Sequence, residues 1–270
     1  MLHLAAAITF WVILPSKTVT LYKTAFDTAA TPSSDIDYPQ ILVPAGQSIS
    51  IKFLTLLFFF VTSFFHVFYA TDAFYTGKYL EAVNGWGWNP FRWFEYSITA
   101  SIMIYVISII VGNKDTVTAL TATLITPGLM FQGYTNEREL MQNALAAWGS
   151  GAGSLPPIDK YIVILNFLPA WLFFVLKWYI LYNAYSALKN DLQTAGKPLD
   201  PNVIAMFWTQ LAGFTSFGVL QSKQVLDWWK ATHSSKPFPI WEYATYEKLY
   251  ILLSLVVKVA LGISVALILK

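Results

Sequence analysis

Seven apolar stretches, most of them close to twenty residues long, divide this chain. About twenty apolar residues are what an α-helix needs to cross a bilayer. The stretches run from Met1 to Pro15, then over Ser48–Ala70, Pro90–Gly112, Thr116–Tyr134, Ile158–Tyr182, Asn202–Trp228 and Tyr243–Leu269. Inside lipid each must satisfy its own backbone polar groups, and lengths near twenty exclude barrel strands. The fold expected is an all-α membrane protein, a seven-transmembrane helix bundle forming one domain over 1–270.

Composition agrees. Only 12% of the residues are charged, against about 25% in soluble domains. The lipid membrane is the first partner. A net charge of +2 gives no reason to expect nucleic acid, and the absence of cysteine removes disulfides, thiolate metal sites and cysteine nucleophiles. Three scattered histidines do not make a metal site. The first stretch lacks a basic leader and a small-residue cleavage site, so no cleavable signal peptide is expected.

The longest connection, Ser16–Gln47, carries β-prone and turn residues and is expected to hold a β-hairpin between the first two spans. Asn89-Pro90 reads as a helix cap followed by proline at the first helical position. Thr126-Pro127-Gly128 predicts a kink in the fourth span. Thr135–Pro157 and Lys230–Ile240 read as loops. With the N-terminus inside, Lys78, Arg92, Arg138, Lys223, Lys230 and Lys236 face the cytoplasm, and Lys17, Lys23, Lys114, Lys189 and Lys197 face out. The positive-inside rule leans toward that orientation, with the C-terminus extracellular.

Charged groups within the spans carry the functional signal. Lys258 has about ten uncharged residues on either side. An ammonium at that depth costs about 2.5–3.5 kcal/mol on insertion scales, so something must pair or modify it. Lys177 and Lys223 lie late in their stretches and are expected to snorkel. Glu95 is the carboxylate most clearly inside a span. Arg92 and Thr99 flank it by a turn, so a local Arg92–Glu95 pair and a pairing of Glu95 with Lys258 are both open. Thr62 and His66 share a face of the second span, and His3 lies in the first. Two intramembrane histidines on neighbouring spans point to a shared polar cavity as well as to structural hydrogen bonding.

Three passages together resemble the heliorhodopsin family, relatives of the microbial rhodopsins with inverted topology. They are FRWFEYSITASIMI in the third span, YILLSLVVKVAL in the seventh, and the Thr62–His66 pair in the second. The resemblance covers all seven spans and the long first loop. It implies a rhodopsin-like bundle with all-trans retinal bound covalently to Lys258 as a Schiff base, and Glu95 as its counterion. It implies that Thr62 and Ser254 are hydroxyl partners nearby, that Tyr96, Phe214 and Gln221 line or adjoin the retinal pocket, and that His3 and His66 flank a proton-holding cavity. Arg92 and Glu137 fall in a cytoplasmic polar network, and a homodimer is implied. Thr126 and Ile263 stand where the family often has asparagine and tryptophan around the polyene. Thr62 and Thr99 stand where serine is common.

Outward-pumping microbial rhodopsins carry an acceptor carboxylate, a threonine and a donor carboxylate at 0, +4 and +11 of the third helix. Those positions here are Glu95, Thr99 and Val106. With the donor missing, a light sensor without pumping is the function expected, with a downstream partner the sequence does not name. The alternative is a light-gated proton conductance through the counterion–histidine cavity. No nucleophile–base pair appears, and no enzyme activity is expected.

Overall fold

The computed structural model describes residues 2–26, 40–113, 115–149, 160–232 and 240–270. Helix α1 (Leu2–Ile13) leads into strands β1 (Thr18–Phe26) and β2 (Gln40–Ser50), which pair antiparallel from Thr18 opposite Ser50 to Phe26 opposite Gln40. The hairpin expected in the first connection is therefore formed; its turn lies outside the described residues. Then come α2 (Ile51–Tyr75) and the short α3 (Lys78–Glu81), which continues into a π-helical turn at Ala82–Trp86. The remaining helices are α4 (Pro90–Ile110), α5 (Thr116–Gly149), α6 (Lys160–Thr194), α7 (Pro201–Thr232) and α8 (Ile240–Leu269).

Helix ends follow local chemistry. The Ser50 Oγ accepts from Phe53 N at 3.2 Å and caps α2. The Asn89 side chain accepts from Phe91 N and Arg92 N at 3.0 and 3.2 Å, with Pro90 supplying the first helical residue. That cap satisfies amide donors that have no partner within the helix. It also sets where Arg92 and Glu95 point.

Helix α4 is the axis of the bundle: two thirds of its apolar stretch is buried, and it packs on α2 and α5. Ile104, Val106 and Ile107 are shut in completely, and the same core takes in Phe10, Phe59 and Leu261. Helix α6 is the opposite case. It exposes Leu168, Leu172 and Val175, each by more than half. Large apolar side chains spread along an exposed face are expected where the surroundings are lipid tails rather than water.

Among the described residues, five helices are long and apolar enough to cross a membrane: α2, α4, α6, α7 and α8. Helix α1 has 12 residues, shorter than the stretch expected. Helix α5 falls outside the five because threonines at 116, 118, 121, 123 and 126 dilute its apolar half and charged residues at 137–139 follow. Those hydroxyls bond the helix itself where geometry permits: Thr121 and Thr123 Oγ1 donate to the carbonyls four residues back, both at 2.8 Å.

Three sequence expectations need correcting here. Helix α5 runs through Pro127 and on to Gly149, so the first half of the Thr135–Pro157 connection is helix. Ala144, Ala146 and Ala147 favour that continuation, and Glu137 is tied into the bundle. Likewise α7 continues to Thr232, and 233–239 lie outside the described residues. Arg92, counted above among inside-facing cations, is 2% exposed within the bundle. Without it the charge on the two sides is level.

Candidate functional site

Two buried charge clusters lie between α4 and α8. The first is built on Lys258. Its Nζ donates to Glu95 Oε1 at 3.0 Å and to Thr62 Oγ1 at 2.5 Å. Lysine, carboxylate and hydroxyl come from α8, α4 and α2, and each is at most 3% exposed. The Tyr69 hydroxyl donates to the other Glu95 oxygen at 3.3 Å. Thr99 Oγ1 turns back to the Glu95 carbonyl at 3.1 Å, so it bonds backbone and not carboxylate. The Tyr96 ring lies 5.4 Å from Lys258 Nζ, and its hydroxyl donates to the Tyr250 carbonyl at 3.0 Å.

The histidines adjoin this pair. His3 and His66 face each other with ring centres 4.6 Å apart, and His66 lies 5.9 Å from the ring of Tyr69. Among the described residues the buried His3 Nε2 has no hydrogen-bond partner. Tyr69 thus touches both the histidine pair and Glu95. Its ring stacks on Tyr79 at 4.7 Å. Burial and the nearby Glu247 carboxylate push the Tyr79 phenol well above its ordinary range, so it stays neutral at any physiological pH.

The second cluster is built on Arg92. Its guanidinium bonds Glu137 Oε1 at 2.7 Å through one nitrogen, and the other nitrogen makes a short contact to Glu247. Of the two pairings open for Glu95, the geometry holds the one with Lys258, and Arg92 looks the other way. Gln224 Nε2 donates to Glu137 at 3.0 Å, Asn89 Nδ2 to Glu247 at 2.7 Å, and the Trp93 indole N–H also reaches Glu137. The Arg92 guanidinium lies 4.1 Å over the ring of Tyr250, whose hydroxyl bonds Gln224 and Gln221 at 2.9 and 3.2 Å.

Beside the first cluster lies a cavity with about 860 Å³ free of atoms, its mouth included. Lys258 and Ser254 enter it from α8, Tyr96 from α4, and Phe214 and Gln221 from α7. The remaining wall is almost wholly apolar, with Trp171 and Phe174 contributed by α6. Two glycines give it room. A Cβ on Gly133 would stand 2.4 Å from the Trp93 ring, and one on Gly218 would stand 3.0 Å from Trp171. One turn after Gly133, Glu137 takes the Trp93 N–H, so α5 fixes that indole at both ends. A long apolar molecule joined through an amine fits this donor set: one lysine, a carboxylate against its nitrogen, and aromatic walls beyond.

Several placements differ from expectation. Lys177 does not snorkel. It is fully buried, because α6 extends to Thr194 and puts the residue at the helix midpoint, beyond reach of either end. Lys223, by contrast, is exposed as expected of a snorkelling lysine and pairs with Asp227. Ile263 is half exposed and does not line the cavity, since five positions beyond Lys258 is about 140° around a helix. Thr126 is buried but also lies off the cavity wall. Glu247, Tyr69, Tyr250 and Gln224 were not singled out from sequence, and Asn89 was read there only as a helix cap. A signal for two of them was present. Glu247, Tyr250, Ser254 and Lys258 are spaced three, four and four apart, which places them on one helical face.

Apolar helices around a largely aromatic cavity with a lysine at its wall define an integral membrane protein with room for an apolar ligand. The family model for heliorhodopsin matches residues 1–267, and the chain belongs to that family. It is a transmembrane retinal protein of the photoreceptor kind. No curated protein matches the chain.

Proposed function

We propose that this single domain senses light without pumping ions, with all-trans retinal bound to Lys258 as a protonated Schiff base. The observation that carries the reading is the 3.0 Å contact between Lys258 Nζ and Glu95 at the wall of an aromatic cavity. Retinal, when bound, supplies the visible absorption and the light-driven change of shape; the protein supplies its shape and electrostatics. Glu95 is the counterion: its negative charge holds a proton on the Lys258 nitrogen by the opposite-charge rule. Thr62 orients that nitrogen, and Ser254 offers a hydroxyl one turn away. Tyr96, Phe214 and Gln221 hold the ligand's flanks.

His3 and His66 receive and keep the proton locally, with Tyr69 between His66 and Glu95. Val106, where a pump carries its donor carboxylate, is wholly buried in the apolar core. Arg92 and Glu137 form the cytoplasmic network, which ties α4 and α5 to α8 through Glu247 and to α7 through Gln224. The helices make seven spans, with α1 and α5 completing the five that qualify by length and hydropathy. The N-terminus is cytoplasmic, the C-terminus is extracellular, and the protein works as a homodimer.

Voltage clamp of cells expressing the retinal-loaded protein tests the function. No light-evoked current is expected. A reproducible current that Glu95→Gln abolishes overturns the sensor reading and favours proton conductance.

A further inference from the structure

Tyr250 holds one proton between two acceptors. It is buried on α8, and it forms part of the cavity wall. Its hydroxyl lies 2.9 Å from Gln224 Oε1 and 3.2 Å from Gln221 Oε1, both on α7. Chemistry fixes which way each amide points. Gln224 Nε2 donates to the Glu137 carboxylate at 3.0 Å, and Gln221 Nε2 to the Gly133 carbonyl at 3.4 Å. Neither an ionised carboxylate nor a backbone carbonyl can donate, so each glutamine turns its NH2 group to that partner and its oxygen to Tyr250. A phenol has one hydrogen to give. One glutamine receives it, and rotation about the phenol C–O bond passes it to the other with no covalent bond broken.

The two acceptors belong to different places. Gln221 lines the cavity. So do Phe217, whose ring stacks on Tyr250 at 6.2 Å, and Tyr96, whose ring lies 5.4 Å from Lys258 Nζ and whose hydroxyl holds the Tyr250 carbonyl at 3.0 Å. Gln224 belongs to the Arg92 cluster, and the guanidinium rests 4.1 Å over the same Tyr250 ring. The shorter contact puts the resting proton on Gln224. There it polarises the amide and strengthens the Nε2 bond to Glu137. Moved to Gln221, it leaves Gln224 holding Glu137 less firmly. Trp93 also lines the cavity and reaches Glu137, but its N–H is fixed in the plane of the indole and has no second setting. Coupling between two sites needs an element with two settings that both sites bias.

We propose that Tyr250 is the positioning residue that couples the cavity to the Arg92–Glu137 cluster: a change in ligand shape displaces Gln221, and the phenol proton passes from Gln224 to Gln221. The coupling rests on retinal being attached at Lys258, and the test separates the two.

Wild type, Tyr250→Phe, Gln224→Leu and the double variant are loaded with all-trans retinal, and recovery of the visible band after a flash is timed. Phenylalanine keeps a ring under Arg92 and at the cavity wall and removes the proton. Gln224→Leu locks the proton on Gln221, so recovery is expected to slow by about fivefold or more, the low end of ordinary coupling between sites. In the Tyr250→Phe background no proton remains to lock, and the same substitution is expected to change recovery by less than about twofold. Recovery that does not slow, or that slows equally in both backgrounds, overturns the coupling alone when the wild-type band is normal. If a variant does not fold, light-minus-dark infrared spectra of wild type with isotope-labelled glutamine side-chain carbonyls decide. Two labelled bands are expected, one losing and one gaining a hydrogen bond, and no labelled band overturns the coupling. A wild-type protein that melts as a folded protein yet gains no visible band overturns the retinal reading itself, and the coupling with it.

Discussion

The two ion clusters between α4 and α8 are built from the same kinds of group and are suited to opposite tasks. Lys258 meets one carboxylate, and an open cavity adjoins it. Arg92 meets two carboxylates, and glutamine, asparagine and tryptophan donors fill the space around them. A lysine can lose its proton or form a covalent bond. An arginine stays charged and holds a rigid fork of donors. The first cluster is thus able to change state, and the second is able only to hold. Both hang from one capped helix, with Arg92 and Glu95 a turn apart. Tyr250 joins them, with the cavity against it and the Arg92 guanidinium over its ring.

The largest effect expected is at the holding cluster. Arg92→Met leaves Glu137 and Glu247 buried without their cation, which costs about 3–5 kcal/mol. Thermal unfolding would read the loss, and any protein that still folds should keep a visible band. If Arg92→Met abolishes the band without loss of stability, the division of labour fails. Glu95→Gln should cost less, about 2–3 kcal/mol, because Lys258 can shed its proton where Arg92 cannot. Its spectral effect should be the larger of the two, with the visible band displaced or bleached. Equal stability losses at Glu95 and Arg92 would erase the contrast.

Gly133→Ala tests the wall that both clusters share. A Cβ there drives the Trp93 ring out of place, at a cost of about 1–2 kcal/mol, and reduces retinal loading. Unchanged loading and melting would mean the indole moves freely. Asn89→Ala should be mildest, about 1 kcal/mol for the lost cap, with the band unmoved.

The sequence exposed Lys258 and Glu95 because each is an ionisable group deep in an apolar run, where charge is costly. It concealed Glu247 because a carboxylate in the first turns of a span looks like an interfacial charge. Only the helical face it shares with Tyr250, Ser254 and Lys258 marks it as inward. Lys177 misled for a related reason. Its depth was judged from where hydropathy ends near Tyr182, while α6 continues to Thr194. The helix in Thr135–Gly149 was hidden by its charged and small residues; Glu137, bonded to Arg92, is what makes that stretch part of the bundle. The hairpin, by contrast, was legible from its β-prone residues, because pairing within one connection needs no knowledge of the rest of the fold.

The most direct test is to load the protein with all-trans retinal, reduce it with borohydride and map the product by peptide mass spectrometry. A retinyl adduct is expected on the peptide carrying Lys258, lost in Lys258→Ala. An adduct on Lys177, or none on a protein that absorbs visible light, would contradict it.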